Sequence, residues 1–178
     1  MIDCGREAGG REVGGREAGG REAADPSCPV GETCAMVPTA SFGYDGDGGL
    51  GDRLLAAVLR GEKTATSSLA VEYLSGDPLP RVGQRSELVD RAGHRHGLIE
   101  TTRVRIIPLN EIGDDVARDA GEGFADAAEW RGAHEAFWRE IVEMIRTDAG
   151  DSTWELRDSE PVVVEWFRLL DDQAGTSE

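Results

Sequence analysis

Residues 127–146 constrain the chain more than any other segment. Trp130, His134, Phe137, Trp138, Ile141 and Ile145 recur there at spacings of three and four, which is one apolar stripe on one long helix. Such a stripe needs a hydrophobic layer to cover it, and the chain offers strands on both sides. Residues 84–90 and 96–107 read as two strands around the turn Arg91-Ala92-Gly93, with β-branched Ile99, Thr101, Val104 and Ile106 in the second. Pro161–Leu170 reads as a closing strand with Val162, Val164 and Trp166 on one face. Strands joined by a hairpin, with helices between and around them, predict an α+β fold on a small, mainly antiparallel sheet or barrel.

The remaining segments fit around that frame. Residues 36–49 are glycine-rich and loop-like. A helix is expected over 51–60, with Leu54, Leu55, Val58 and Leu59 on its apolar face and Gly61 where a C-terminal glycine belongs. A short helical stretch is expected over 68–74, broken by Gly76-Asp77-Pro78-Leu79-Pro80, and another over Asp114–Asp119. Gly121-Glu122-Gly123 is a loop in which a glutamate gains freedom for close approach.

Length and charge bound the function. The 178 residues suit one domain, and no apolar run approaches the roughly 20 residues that span a bilayer. No secretory signal is evident, which points to the cytoplasm. The net charge of −16 lies mostly beyond residue 35, where it is −13, so a broad nucleic-acid-binding face and a DNA partner are not expected. Cys4, Cys28 and Cys34 match no zinc spacing, and no metal or other cofactor is expected. Gly-Arg-Glu recurs every five residues over 5–22, too polar to bury a core. Residues 1–35 therefore read as a disordered low-complexity tail, and an upstream start codon is one origin for them, since Met36 opens a more conventional sequence. Residues 36–172 form the domain and 173–178 a polar tail.

Lys63 is the only lysine beside eighteen arginines. A lysine amine can shed its proton when buried, whereas a guanidinium stays charged. Thr66-Ser67-Ser68 follows, and an amine beside a hydroxyl is a minimal activated nucleophile. On spacing alone, a lysine on a solvated turn remains the competing explanation.

The chain resembles the ASCH domain family of PUA-like β-barrels. The resemblance rests on Gly61-Glu62-Lys63-Thr64-Ala65-Thr66 after the first helix, on Tyr73, Gly76 and Leu79-Pro80, and on Thr101-Thr102-Arg103-Val104. It continues through Gly121-Glu122-Gly123, Trp130-Arg131-x-x-His134 and Glu165-Trp166-Phe167, over roughly residues 42–170. It implies a PUA-like small barrel with flanking helices. Small bacterial members remove the acetyl group of N4-acetylcytidine, and a related member is described as a ribonuclease. Matched by motif, the resemblance implies Lys63 as base, Thr66 as nucleophile and Glu122 as acid or orienting group. Ser67, Tyr73, Arg103, Trp130, Arg131 and His134 are the substrate-binding candidates, with arginines on phosphate and Trp130 or Tyr73 stacking on a base. His134 and Trp130 also suit a core role, being on the apolar stripe. The partner implied is a nucleoside or modified nucleotide, or RNA in the alternative of a binding module. Close relatives commonly carry Glu-Gly-Glu-Gly-Asp where this chain has Ala120-Gly121-Glu122-Gly123-Phe124, so two acids are missing.

Deleting residues 1–35 removes no periodic apolar segment and should leave the melting temperature nearly unchanged. A loss of several degrees would show that the tail packs on the domain.

Overall fold

The computed structural model describes residues 2–3, 37–43 and 47–170. Its strands are β1 (Ile2–Asp3), β2 (Thr39–Phe42), β3 (Ala65–Leu69), β4 (Arg85–Val89), β5 (Arg95–Pro108) and β6 (Pro161–Leu170). Its α-helices are α1 (Leu50–Leu59), α2 (Asp114–Asp119), α3 (Ala127–Glu140) and α4 (Val142–Ala149). The strands form one curled sheet in the order β1-β2-β4-β5-β6-β3. The β2–β4 pair is parallel and the other pairs are antiparallel. A register shift at Leu88/Val89 in the β4–β5 hairpin and another at Thr101/Arg103 between β5 and β6 help the sheet curl.

The alternation of β6 sets the two layers. Val162, Val164 and Trp166 face one side, where Trp130, Trp138, Ile145, Val116 and Ala117 of the helices cover them. Phe167 faces the other, inner side, with Phe42, Leu54, Val58, Leu88 and Ile99. Residues 162–167 are buried on both faces, so β6 is the shared wall of both cores. On its helix-covered side, Trp138 is wholly buried and meets Trp130 edge-on with ring centroids 6.1 Å apart.

Three segments depart from expectation. Residues 39–42, expected as loop, form β2, whose apolar Ala40 and Phe42 alternate inward over only four residues. Residues 65–69 form β3, and the helical turn begins only at Ala70, as a 3-10 turn over Ala70–Ser75. β3 is a strand because it pairs with β6 along its whole length, not because Ala-Thr-Ser-Ser-Leu favours one. The long helix divides at Ile141, whose φ of −96° and ψ of 15° leave helical geometry. Ile141 is accordingly only partly buried against the core, while Ile145 on α4 is fully buried. Within the expected N-terminal tail, Ile2–Asp3 pair with Phe42 and Ser41 as β1, while the repeat and the rest of the expected tails lie outside the described residues. No helix among those described is long and apolar enough to cross a membrane.

Trp138→Ala should cost about 3–5 kcal/mol of stability, the usual loss for truncating a buried tryptophan. Urea unfolding would measure it, and a variant as stable as wild type would contradict the packing of α3 on β6.

Candidate active site

Lys63 leaves α1 through Gly61, whose φ of +73° suits glycine, and stops two residues short of β3. The Thr64 amide donates to the Asp119 carbonyl at 2.8 Å, and the Phe167 amide donates to the Thr64 carbonyl at 2.9 Å. Those main-chain bonds fasten the Lys63 segment between the end of α2 and β6. The loop after α2 then runs directly over Lys63. A Cβ on Gly121 would lie 2.4 Å from Lys63 Cα, and Gly121 has a φ of +64°. Only glycine satisfies both the contact and the backbone there.

The close approach brings together two groups 59 positions apart. Lys63 Nζ donates to Glu122 Oε1 at 2.9 Å and to the Ala120 carbonyl at 3.0 Å. Lys63 is 1% exposed, so the bland alternative of a solvated lysine is excluded. Its ammonium also sits 5.4 Å from the Phe42 ring centroid, on the inner side of the sheet. Burial pushes the Lys63 amine below the ordinary lysine range, opposed by the Glu122 charge and hydrogen bond. For Glu122 burial works upward, but the Lys63 charge and hydrogen bond contribute to holding it below the usual carboxylate range.

Thr66 pairs in register with Glu165 of β6 and so faces the inner side with it. Its Oγ1 is buried and makes no hydrogen bond among the described residues. Lys63 Nζ spends its hydrogen bonds on Glu122 and Ala120, so amine and hydroxyl are neighbours in sequence but not bonded to each other.

The other candidates separate. His134 stacks on Trp130 at 3.9 Å, and its Nδ1 donates to the Trp130 carbonyl at 2.9 Å. It also lines, with Glu122, a cavity of about 320 Å³ whose apolar walls include Leu50, Leu54, Phe124 and Phe137. Burial pushes the His134 imidazole down to about 4. Tyr73 Oη hydrogen-bonds Ser68 Oγ at 2.8 Å. Ser67, one residue from Thr66, pairs with Val164 and faces the helix-covered side, away from Thr66. Trp130 is wholly buried, its ring covered by His134 and Trp138, and so offers no open face for a base. Arg131 is engaged by Glu135 and Asp158 on the surface. Arg103 is exposed and lies 3.6 Å over the Trp166 ring, also outside the Lys63 cluster. Glu165 and Thr101 were not anticipated. Thr101 Oγ1 donates to Glu165 Oε1 at 2.5 Å, and both are buried. A lone acid within Val-Val-Val-Glu-Trp-Phe was the readable signal.

The curl of the sheet, the helices on its outer side and the lysine segment entering after α1 define an α+β half-barrel of the PUA-like kind. The ASCH domain profile matches residues 40–171, and the chain belongs to the ASCH domain family. Among solved structures, it is similar to an ASCH domain from Lactobacillus crispatus JV V101. They share 30% identity and a TM-score of 0.61 over 72% of this chain and 76% of that one. It is also similar to protein EF3133 from Enterococcus faecalis V583, at 26% identity and a TM-score of 0.57, over 68% and 69% of the two chains. No curated protein matches.

His134 makes stability depend on pH. Its folded-state value of about 4 lies below the unfolded value near 6.5, so the unfolded chain takes up the proton first. The stabilisation is complete above pH 6.5 and is lost as pH falls toward 4, by roughly 3 kcal/mol. Urea unfolding of wild type and His134→Gln across that window should show the wild type falling more steeply. Parallel curves would contradict the buried neutral imidazole.

Proposed function

We propose that the chain hydrolyses the amide of an acylated nucleoside such as N4-acetylcytidine. The observation that carries this reading is the wholly buried Lys63, the only lysine, in contact with Glu122 from a loop held down by Gly121. An ammonium kept from water and tuned downward is suited to shed its proton. In the reaction, neutral Lys63 Nζ takes the Thr66 hydroxyl proton as Thr66 Oγ1 bonds to the acyl carbon. Glu122 orients the lysine, and the proton passes to the departing exocyclic amine as the C–N bond breaks. Water then attacks the acyl-threonine, giving the free acid and restoring the hydroxyl. Substrate must draw Lys63 Nζ and Thr66 Oγ1 together, since they are not bonded to each other beforehand. The acidic surface suits a neutral nucleoside better than a polyanion.

A second reading is favoured by the exposed Arg103 guanidinium lying on Trp166, beside exposed Arg105 on β5. That pair of cations suits the phosphates of RNA or a nucleotide on a binding module without hydrolysis. RNA binding that falls steeply with salt, with no cytidine released from N4-acetylcytidine between pH 6 and 9, would select it.

Lys63→Arg keeps a cation that cannot become a neutral base. Both Lys63→Arg and Lys63→Ala should bind nucleoside within roughly tenfold of wild type while losing at least about a hundredfold in turnover. Chromatography of released cytidine measures this, and substantial hydrolysis by the arginine variant rules out the base role. Glu122→Gln keeps shape and removes the charge. Wild-type turnover by that variant would exclude Glu122 from the chemistry.

A further inference from the structure

Glu165 is the one ionisable residue in the doubly buried run of β6, and it is 9% exposed. A carboxyl at such a place costs stability unless something uses it. Its single hydrogen-bond partner among the described residues is the Thr101 hydroxyl, which fixes Oε1. No described cation forms an ion pair with it, and burial raises it above the usual carboxylate range, partly offset by Thr101. Across the antiparallel β3–β6 pair it stands directly opposite Thr66, where facing Cβ atoms lie about 5 Å apart. Thr66 Oγ1 is itself buried and unpartnered. Two facing side chains on the inner wall thus keep unused hydrogen-bonding capacity side by side.

We propose that Glu165 is a substrate-binding residue that meets an N-acylated amino-heterocycle beside Thr66 as a paired hydrogen-bond donor and acceptor. The assignment rests on the hydrolase reading above and names what that site recognises. A neutral carboxyl presents O–H and C=O in one plane. The Oε2 hydroxyl donates to the ring nitrogen next to the acylated amine. Oε1, which has a second lone pair beyond the one taken by Thr101, accepts the amide N–H. An ionised carboxylate has acceptors only and would face the lone pair of the ring nitrogen. An aliphatic amide lacks that ring nitrogen and leaves the donor of Glu165 unpaired, which selects for aminopyrimidine amides over acylated alkyl amines. The pairing also places the acyl carbon next to the Thr66 hydroxyl.

Glu165→Gln supplies the same donor and acceptor without a titrating group, whereas Glu165→Leu removes both. Thr101→Val releases Oε1 from its anchor. Hydrolysis of N4-acetylcytidine is followed for kcat and KM, with calorimetric binding of N4-acetylcytidine and cytidine, and circular dichroism confirms folding. Glu165→Gln should stay within about threefold of wild type in kcat/KM, while Glu165→Leu raises KM and the cytidine Kd by about tenfold or more. Thr101→Val should fall between them. Unchanged KM in Glu165→Leu, or a hundredfold loss of kcat in Glu165→Gln, overturns the assignment and leaves the hydrolase reading standing if the wild type is active. A wild type that neither binds nor hydrolyses N4-acetylcytidine overturns both. Should Glu165→Leu not fold, Glu165→Gln and Thr101→Val decide the matter.

Discussion

The contact between Lys63 and Glu122 is the one that the rest of the site depends on. A buried ammonium must be paired and hydrogen-bonded, because removing it from water costs several kcal/mol. Here the carboxylate and the Ala120 carbonyl both come from the loop after α2. The loop reaches them because Gly121 has no side chain to hold it off Lys63. Thr64 connects the same segment to α2 through its amide and to β6 through its carbonyl. The Trp166 indole N–H adds a third tie, to Asp119 Oδ2 at 2.8 Å. Helix, loop and strand are thus adjusted to one another around one charge.

Much of the architecture was legible because it rests on strong periodicity. The stripe on residues 127–146 buries one helix face, and the apolar, β-branched runs of β5 and β6 form the strands they predict, so pattern and structure agree there. β3 was not legible. Ala-Thr-Ser-Ser-Leu carries no apolar alternation, and its conformation is imposed by five partners on β6. The break at Ile141 was hidden for a related reason, since an apolar stripe continues across it while the backbone turns.

The site divides along the same line. Lys63 and Glu122 carried local signals, a unique residue type and a glycine-flanked acid, and they meet. Ser67 neighbours Thr66 in sequence, which says nothing of strand parity, and Trp130, a stacking candidate that also suited a core role, takes the core role. On β3 a shift of one residue separates Thr66, facing Glu165, from Ser67, facing Val164. Glu165 depended on a long-range pairing that no local pattern reveals, although its isolation among apolar neighbours was visible.

The Ala120 carbonyl has a bearing on what the loop after α2 demands of its side chains. Residue 120 serves the lysine through its main-chain oxygen, not its side chain. A residue that holds that turn and fits the buried space around Ala120 delivers the same oxygen. Phe124 instead brings an aromatic ring to the wall of the cavity beside Glu122 and His134. The two positions are therefore unequal: residue 120 meets the charge pair through its backbone, whereas the side chain at 124 sets the polarity of the space next to it.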